Sequence, residues 1–395
     1  MKRHPITRRK FISHTVAGIS LSPLNIIPHA FAGANDRIEL GVIGCGRRGR
    51  DALMNDVHRY EAKNRVAITA VCDVWRQQRE QAVLKTLEWY GKAAQQFEDY
   101  RDLLALTNID AVLIACPDHL HCPVLEAAAK AGKDAYCETP LARNMKELIR
   151  AVDAVKDNQR IVQVGTQLRS FDSFTGCRKA VKEGQLGRMI KCEQSRNSYK
   201  PYWHDSVRPI RESDTNWKLF LGNNKMRPFD PDQHSAWQGY QDFSSGAIGG
   251  WMSQFIDLVH YITGAKFPYS AVTSGGTYAW IDRRTSPDSV QTTLDYSEGF
   301  MVGYSTMFGN ENGNFTRFYG TRGLIDSTDW QNPFMSGDGS EDPNKNRERK
   351  SIKPIAVPHH MDNWLNCLRT RNQPNANIDT GYQHAVACIL SHEAM

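Results

Sequence analysis

The stretch Ile38-Glu39-Leu40-Gly41-Val42-Ile43-Gly44-Cys45-Gly46-Arg47-Arg48-Gly49-Arg50-Asp51-Ala52-Leu53-Met54 decides the fold. Its first six residues form an apolar run that reads as a buried strand, and Arg50 to Met54 read as the start of a helix. Between them lies Gly44-Cys45-Gly46-Arg47-Arg48-Gly49, a G-x-G-x-x-G turn. Each glycine answers a separate need. The first permits the tight turn, the second lets backbone approach a pyrophosphate, and the third lets helix and strand pack closely. The helix N-terminus adds unpaired N–H groups and the positive end of a dipole. Alone, such a turn is a weak signal. Here a second strand, Val66-Ala67-Ile68-Thr69-Ala70-Val71-Cys72, ends in Asp73, 24 residues after Gly49. An acid at that point can accept hydrogen bonds from both ribose hydroxyls and repel a 2′-phosphate, so the pattern predicts NAD rather than NADP. Arg47 and Arg48 join Gly44, Gly46, Gly49 and Asp73 as candidate cofactor contacts.

Downstream, Trp75 to Phe97 has helical composition and Tyr100-Arg101-Asp102-Leu103-Leu104 reads as a short helix. Ala111-Val112-Leu113-Ile114-Ala115-Cys116 is a continuous apolar run, as expected for a parallel strand buried on both faces. Pro117-Asp118-His119-Leu120-His121 ends it, and a helix from Val124 to Ala131 is closed by Gly132. Ala135-Tyr136-Cys137 is a short strand ending in Glu138-Thr139-Pro140. This alternation makes an α/β domain with a doubly wound parallel sheet. Ligands of such sheets bind beyond the carboxyl ends of the strands, which puts Pro117, Asp118, His119, His121, Glu138 and Thr139 beside the nucleotide.

Gly44-x-Gly46-x-x-Gly49, Pro117-Asp118-His119-Leu120-His121, Ala131-Gly132-Lys133 and Cys137-Glu138-Thr139-Pro140-Leu141 together resemble the Gfo/Idh/MocA oxidoreductases. That family includes glucose–fructose oxidoreductase, inositol dehydrogenase and NAD-dependent glycosidases. The resemblance implies an N-terminal Rossmann domain, residues 36–160 here, joined to a C-terminal α+β domain, residues 161–395. The second domain's large open, mainly antiparallel sheet is expected to mediate a homo-oligomer. Bound NAD and a small carbohydrate substrate are implied as well.

The chain departs from the family at three positions. Thr139 stands where the usual Glu-Lys-Pro tripeptide has a lysine that contacts both nicotinamide and substrate hydroxyl. A neutral hydroxyl can orient a substrate but supplies no positive field for a developing alkoxide. The stretch Gly249 to Thr263 resembles the family's catalytic helix, which carries an Asp and, four residues on, a His. Those positions are Gly250 and Gln254, whereas the Asp three residues further is kept as Asp257. At helical spacing Trp251, Phe255, Leu258 and Ile262 form a buried stripe, with Gly250, Gln254, Asp257 and Tyr261 on its flank. The candidate catalytic set becomes Asp257, Gln254, Thr139 and His260, the last able to pair with Asp257; His204, His359 and His360 are further acid–base candidates. The family places pocket contacts after the strand Ile161 to Gly165, so Thr139, Gln167, Arg169, Gln254 and Asp257 are the expected substrate contacts.

Aromatics are dense from Tyr199 to Trp251: Tyr199, Tyr202, Trp203, Trp217, Phe220, Trp237, Tyr240 and Trp251. Their flat faces suit sugar rings, and about two or three of them are expected to face a ligand. Residues 268–326 alternate as antiparallel strands, 334–350 read as a mobile surface loop, and His359–Arg371 and Thr380–Met395 read as helices. The last carries no capping signal, so a further C-terminal tail is expected.

A chain of 395 residues with 40% apolar content can bury two cores. The net charge of +6 is modest, and no basic stripe with interleaved aromatics occurs, which argues against nucleic acid. No apolar run reaches the roughly 18 residues of a membrane span. At the N-terminus, Thr7-Arg8-Arg9-Lys10-Phe11-Ile12 precedes a moderately apolar stretch and Ala30-Phe31-Ala32. That order resembles a twin-arginine export signal over residues 1–33, predicting a periplasmic protein exported already folded. The nine cysteines are odd in number with no C-x-x-C, and read as small core residues rather than disulfides or a metal site. Outside the cytoplasm no NAD pool is available for exchange, which favours a redox-neutral cycle. Three readings follow: sugar oxidoreductase, NAD-assisted glycosidase, and a sugar- or nucleotide-binding protein with little turnover.

Overall fold

Residues 37–342 and 348–395 are described by a computed structural model; the twin-arginine segment lies outside them. Six strands build the first sheet: β1 (Ile38–Ile43), β2 (Val66–Cys72), β3 (Gln95–Phe97), β4 (Ala111–Ile114), β5 (Asp134–Cys137) and β6 (Val162–Val164). Their order is β3-β2-β1-β4-β5-β6, and every neighbouring pair is parallel. The order reverses beside β1, so the crevice beyond the ends of β1 and β4 is where such a sheet takes its ligand. Crossovers run through α1 (Met54–Asn64), α2 (Arg76–Tyr90), α3 (Tyr100–Leu104), α4 (Asp118–Lys130) and α5 (Met145–Asp157).

Three local expectations are corrected. The helix read over Trp75–Phe97 ends at Tyr90, where Gly91 takes a left-handed conformation, and Gln95–Phe97 forms the edge strand β3. The helix expected from Val124 already begins at Asp118 and carries Pro123 inside it. The strand placed at the opening of the second domain is β6, which pairs with β5 and completes the first sheet.

After α6 (Asp172–Lys182) the chain enters the second sheet through β7 (Met189–Ser195). The aromatic-rich segment then contributes the short helices α7 (Trp217–Leu221) and α8 (Pro231–Ser235), followed by α9 (Ser253–Thr263). The sheet is completed by β8 (Pro268–Gly276), β9 (Ser289–Tyr296), β10 (Phe300–Met307), β11 (Phe315–Gly320), β12 (Leu324–Asp326), β13 (Phe334–Ser336) and β14 (Lys350–Ser351). Its order is β14-β13-β12-β11-β7-β10-β9-β8, antiparallel throughout except between β7 and β10. Alternation along β9 puts Val290, Thr292, Leu294 and Tyr296 inside, as a sheet with one covered face requires. The surface loop expected at 334–350 instead carries a short strand at each end, β13 and the edge strand β14.

α9 fills the space under the covered face, with Phe255, Leu258 and Ile262 buried. α10 (His360–Thr370) and α11 (Ile378–Glu393) return to the first domain. Ile378, Ala385 and Ile389 of α11 belong to the first core, while Ala387 and Cys388 belong to the second. Eight of the nine cysteines are buried, and all are free thiols. No helix among the described residues is long and apolar enough to cross a membrane.

Candidate active site

The glycine turn has the geometry its sequence predicts. Gly44 lies at φ +92°, and a Cβ there would stand 2.5 Å from the backbone of Ala115. A Cβ on Gly49 would meet the Gly44 carbonyl oxygen at 1.9 Å, so strand and helix touch through bare backbone. Gly46 is the opposite case: nothing lies within 4 Å of a Cβ built on it. That open side is the cradle a pyrophosphate needs, at the N-terminal end of Arg47–Leu53, a π-wound turn leading into α1 whose Arg50 N–H already bonds the Gly46 carbonyl. Asp73 is tied directly beneath. Its Oδ2 accepts from the Cys45 N–H at 2.7 Å and its Oδ1 from the Trp75 N–H at 2.8 Å. Burial pushes this carboxyl up, while the two backbone donors pull it down. The residues present therefore fit a dinucleotide. Gly49→Ala forces backbone apart at the turn and should cost about 1–3 kcal/mol; nicotinamide-nucleotide affinity, measured by titration, should fall with it, and unchanged affinity would show the close approach to be dispensable.

Three strand ends meet at Arg48. Its Nε donates to Glu138 Oε1 at 2.7 Å and its Nη2 to Gln167 Oε1 at 3.2 Å, and the Glu138 carboxylate holds the guanidinium pKa above its usual value. His121 ties the end of β5 to that of β4, with Nδ1 at 2.7 Å from the Pro140 carbonyl oxygen and Nε2 at 2.8 Å from that of Cys116. Pro117 caps α4, and Asp118 is buried, accepting from the Ser244 hydroxyl at 2.9 Å. His119, expected beside the nucleotide, instead turns into the aromatic cluster of Trp217, Phe220 and Phe243. Its Nε2 lies 2.8 Å from the Phe220 carbonyl oxygen, and burial lowers its pKa to about 4. Arg47 is exposed on the turn.

At the family's lysine position, Thr139 is brought together with Gln254. Gln254 Nε2 donates to Thr139 Oγ1 at 3.1 Å and to the Gly165 carbonyl at 2.9 Å. The Gln254 Oε1 and the neighbouring Thr166 Oγ1 are buried without a partner. Buried orphans of this kind are uncommon, and two at one pair of strand ends mark where a ligand would complete the bonding. Gln254 is carried by α9, whose approach is again π-wound, over Ile248–Met252. A Cβ on Gly249 would sit 2.9 Å from Pro140, which locks this turn against the Thr139–Pro140 corner. A Cβ on Gly250 would sit 2.5 Å from the hydroxyl of Tyr202, which donates to the Gly246 carbonyl at 3.1 Å. Tyr202 occupies the room an aspartate at 250 would need.

The proposed acid–base residues are corrected. Asp257 is fully buried, with Oδ2 at 2.6 Å from the Nε of Arg169, itself only 7% exposed. Two expected substrate contacts thus neutralise each other inside the protein. The remaining oxygen, Oδ1, has no hydrogen bond and faces the Nδ1 of buried His384 at 3.9 Å. His260 does not pair with Asp257. It points to the other side of α9, where its Nε2 lies 2.8 Å from the Tyr296 hydroxyl, and burial holds it at about 3. His360 is equally structural, bonded to Ser170 Oγ and the Val164 carbonyl and lowered to about 3. His359 caps α10, and His204 pairs with Asp205 at the surface.

The aromatics divide as chemistry demands. Trp203, Trp217, Phe220 and Tyr240 are buried core, and Tyr199 is exposed. Tyr202 and Trp251, with ring centroids 5.5 Å apart, remain partly accessible beside Gly250. Tyr202 and Trp251 were among the aromatics expected to supply ligand contacts, whereas Arg196, which lies over the Trp251 ring, was given no role at the site. The one available signal was the glycine at 250, which implies that something else fills that space.

Residues 38–166 match the Gfo/Idh/MocA model described as "Oxidoreductase family, NAD-binding Rossmann fold", and residues 178–394 match its "C-terminal alpha/beta domain". The inositol 2-dehydrogenase/D-chiro-inositol 3-dehydrogenase of Lactiplantibacillus plantarum is 31% identical over 204 residues, 49% of this chain and 56% of that protein. The levoglucosan dehydrogenase of Pseudarthrobacter phenanthrenivorans is 29% identical over 204 residues, covering 50% of this chain and 44% of that protein. The chain thus spans about half the length of the curated relatives it matches. A solved levoglucosan dehydrogenase in complex with NADH and levoglucosan shares the fold, with a TM-score of 0.69 at 19% identity over 91% of this chain and 97% of that one. With both family domains matched and the glycine cradle in place, the chain belongs to the Gfo/Idh/MocA oxidoreductase family and carries its NAD-binding Rossmann domain.

Proposed function

We propose that this protein oxidises and re-reduces a hydroxyl-bearing carbon of a sugar or sugar derivative in a redox-neutral cycle on tightly held NAD. The observation that carries this reading is the Thr139–Gln254–Gly165 group at the strand ends, with the unpartnered Gln254 Oε1 beside it. Gly44, Gly46 and Gly49 would hold the pyrophosphate, and Asp73 the adenosine ribose. When bound, the nicotinamide supplies hydride exchange with the sugar carbon. The chain's own residues orient the sugar. Gln254 Oε1 accepts from a substrate hydroxyl, and the Thr139 hydroxyl, fixed by the Gln254 amide, sets the angle of approach. The Tyr202 hydroxyl beside Gly250 offers the substrate a further polar contact.

No residue at positions 139, 250 or 254 is ionisable, which favours a second reading, a sugar-binding protein with little turnover. The test is to denature the purified protein, identify the nucleotide released, and screen the intact protein against sugars and glycosides for bleaching or generation of the reduced cofactor. Release of NAD with turnover of a sugar supports the enzyme, and turnover of a glycoside supports the NAD-assisted glycosidase. Binding without turnover across the panel leaves the binding protein.

The same proposal places the protein outside the cytoplasm through Arg8 and Arg9. Replacing both with lysine should retain the protein, cofactor bound, in the cytoplasmic fraction. Export of that variant at the normal level would show that another route carries the chain.

A further inference from the structure

Arg196 follows β7 directly, and its guanidinium lies between two indoles, 4.5 Å from the Trp251 ring centre and 5.6 Å from that of Trp330. It is partly buried, yet its side chain meets no carboxylate and makes no hydrogen bond among the described residues. The contrast with Arg169, buried and paired with Asp257, is direct. Burial lowers the pKa of Arg196, with Tyr202 and Tyr304 acting against that. The Tyr304 hydroxyl, buried at 1% exposure and within reach of the Thr306 side chain, stands next to Arg196. A stacked guanidinium with its donor fork unused, beside a buried phenol, is an oxyanion site awaiting its anion. Its position ties it to the cleft, because Trp251 adjoins Gly250, whose neighbour Tyr202 stands where a side chain at 250 would project.

We propose that Arg196 anchors a carboxylate of the substrate, so that the sugar this protein takes is a uronic acid or another sugar acid. This rests on the sugar reading above. Two indole faces hold the guanidinium plane, the fork accepts the carboxylate in bidentate fashion, and the Tyr304 hydroxyl donates to one oxygen. The ring then lies along Tyr202 and Trp251, with its reacting hydroxyl directed toward Gln254 and Thr139.

The experiment is isothermal titration of the NADH-loaded protein with D-glucuronate, D-galacturonate, D-glucose, D-galactose and glucose 6-phosphate, on wild type, Arg196→Gln and Arg196→Lys. A uronate should bind the wild type about 10- to 100-fold more tightly than its neutral counterpart, the worth of one charge-assisted bidentate contact. Arg196→Gln should erase that difference while leaving NADH affinity unchanged, and Arg196→Lys should restore part of it. Neutral sugars bound as tightly as uronates, with Arg196→Gln silent, overturn the proposal. Preference for glucose 6-phosphate over the uronates overturns the carboxylate assignment. Binding of NADH with no sugar of any kind overturns the sugar reading itself and this inference with it.

Discussion

Bringing the protein from pH 7 to pH 5 should destabilise it, well before ordinary carboxylates titrate. Burial pushes His119, His234 and His384 down to about 4, and His260 and His360 down to about 3. Unfolded, each returns to the ordinary value near 6.5. Within this window the unfolded chain binds more protons than the folded one, so stability is full above pH 6.5 and falls as the pH drops toward 4. Each such histidine removes about 2 kcal/mol at pH 5. All five act in the same direction, so their losses accumulate across this window. Burial raises Asp73 and Asp118, which works in the opposite sense and softens the slope. Circular dichroism across pH 7 to 4 checks this. A folded signal persisting below pH 4 would mean that these imidazoles gain protons without losing their places.

Asp257→Asn should lower stability by about 3–5 kcal/mol, because it leaves the Arg169 guanidinium buried without its counter-charge. The pair is buried, with the carboxylate fully enclosed and its second oxygen turned to an imidazole that burial keeps neutral. Replacing both partners, Arg169→Met with Asp257→Leu, should recover much of the loss, since no charge is then stranded. Urea denaturation with NAD affinity as a second readout separates the possibilities. An unchanged unfolding midpoint with abolished turnover would return Asp257 to the chemistry.

What the sequence made legible was the part governed by local rules. Val66–Cys72 and Tyr100–Leu104 form as read, because apolar runs and short-helix composition need no distant partner. The glycine turn was equally readable, since only bare backbone permits its contacts. Pro123 hid the true start of α4: a proline that costs one helical hydrogen bond looks like a boundary, but burial of Asp118 and His119 holds the helix through it. At the site, periodicity put Gln254 and Asp257 on one flank of a helix. It could not tell that Arg169, 88 residues earlier, would claim Asp257 while Thr139, 115 residues earlier, met Gln254. Spacing gives the face of a helix, and only tertiary packing decides which partner waits there. The exchange at 250 was visible, whereas its cause, a phenol arriving from the loop after β7, was not.

The edge of the first sheet has a consequence for the timing of synthesis. β6 is its outermost strand on that side, and the cover comes from far downstream: Gln163 donates to the His360 carbonyl across 197 residues, and Val164 N–H bonds the Ala376 carbonyl. Gly381 then packs against Val164. A ribosome that has delivered the nucleotide-binding half has not yet delivered what seals it. At a synthesis rate of about 5–20 residues per second the strand edge stays open for roughly 10–40 s. Until then a nascent chain of this protein depends on whatever shields an unpaired strand.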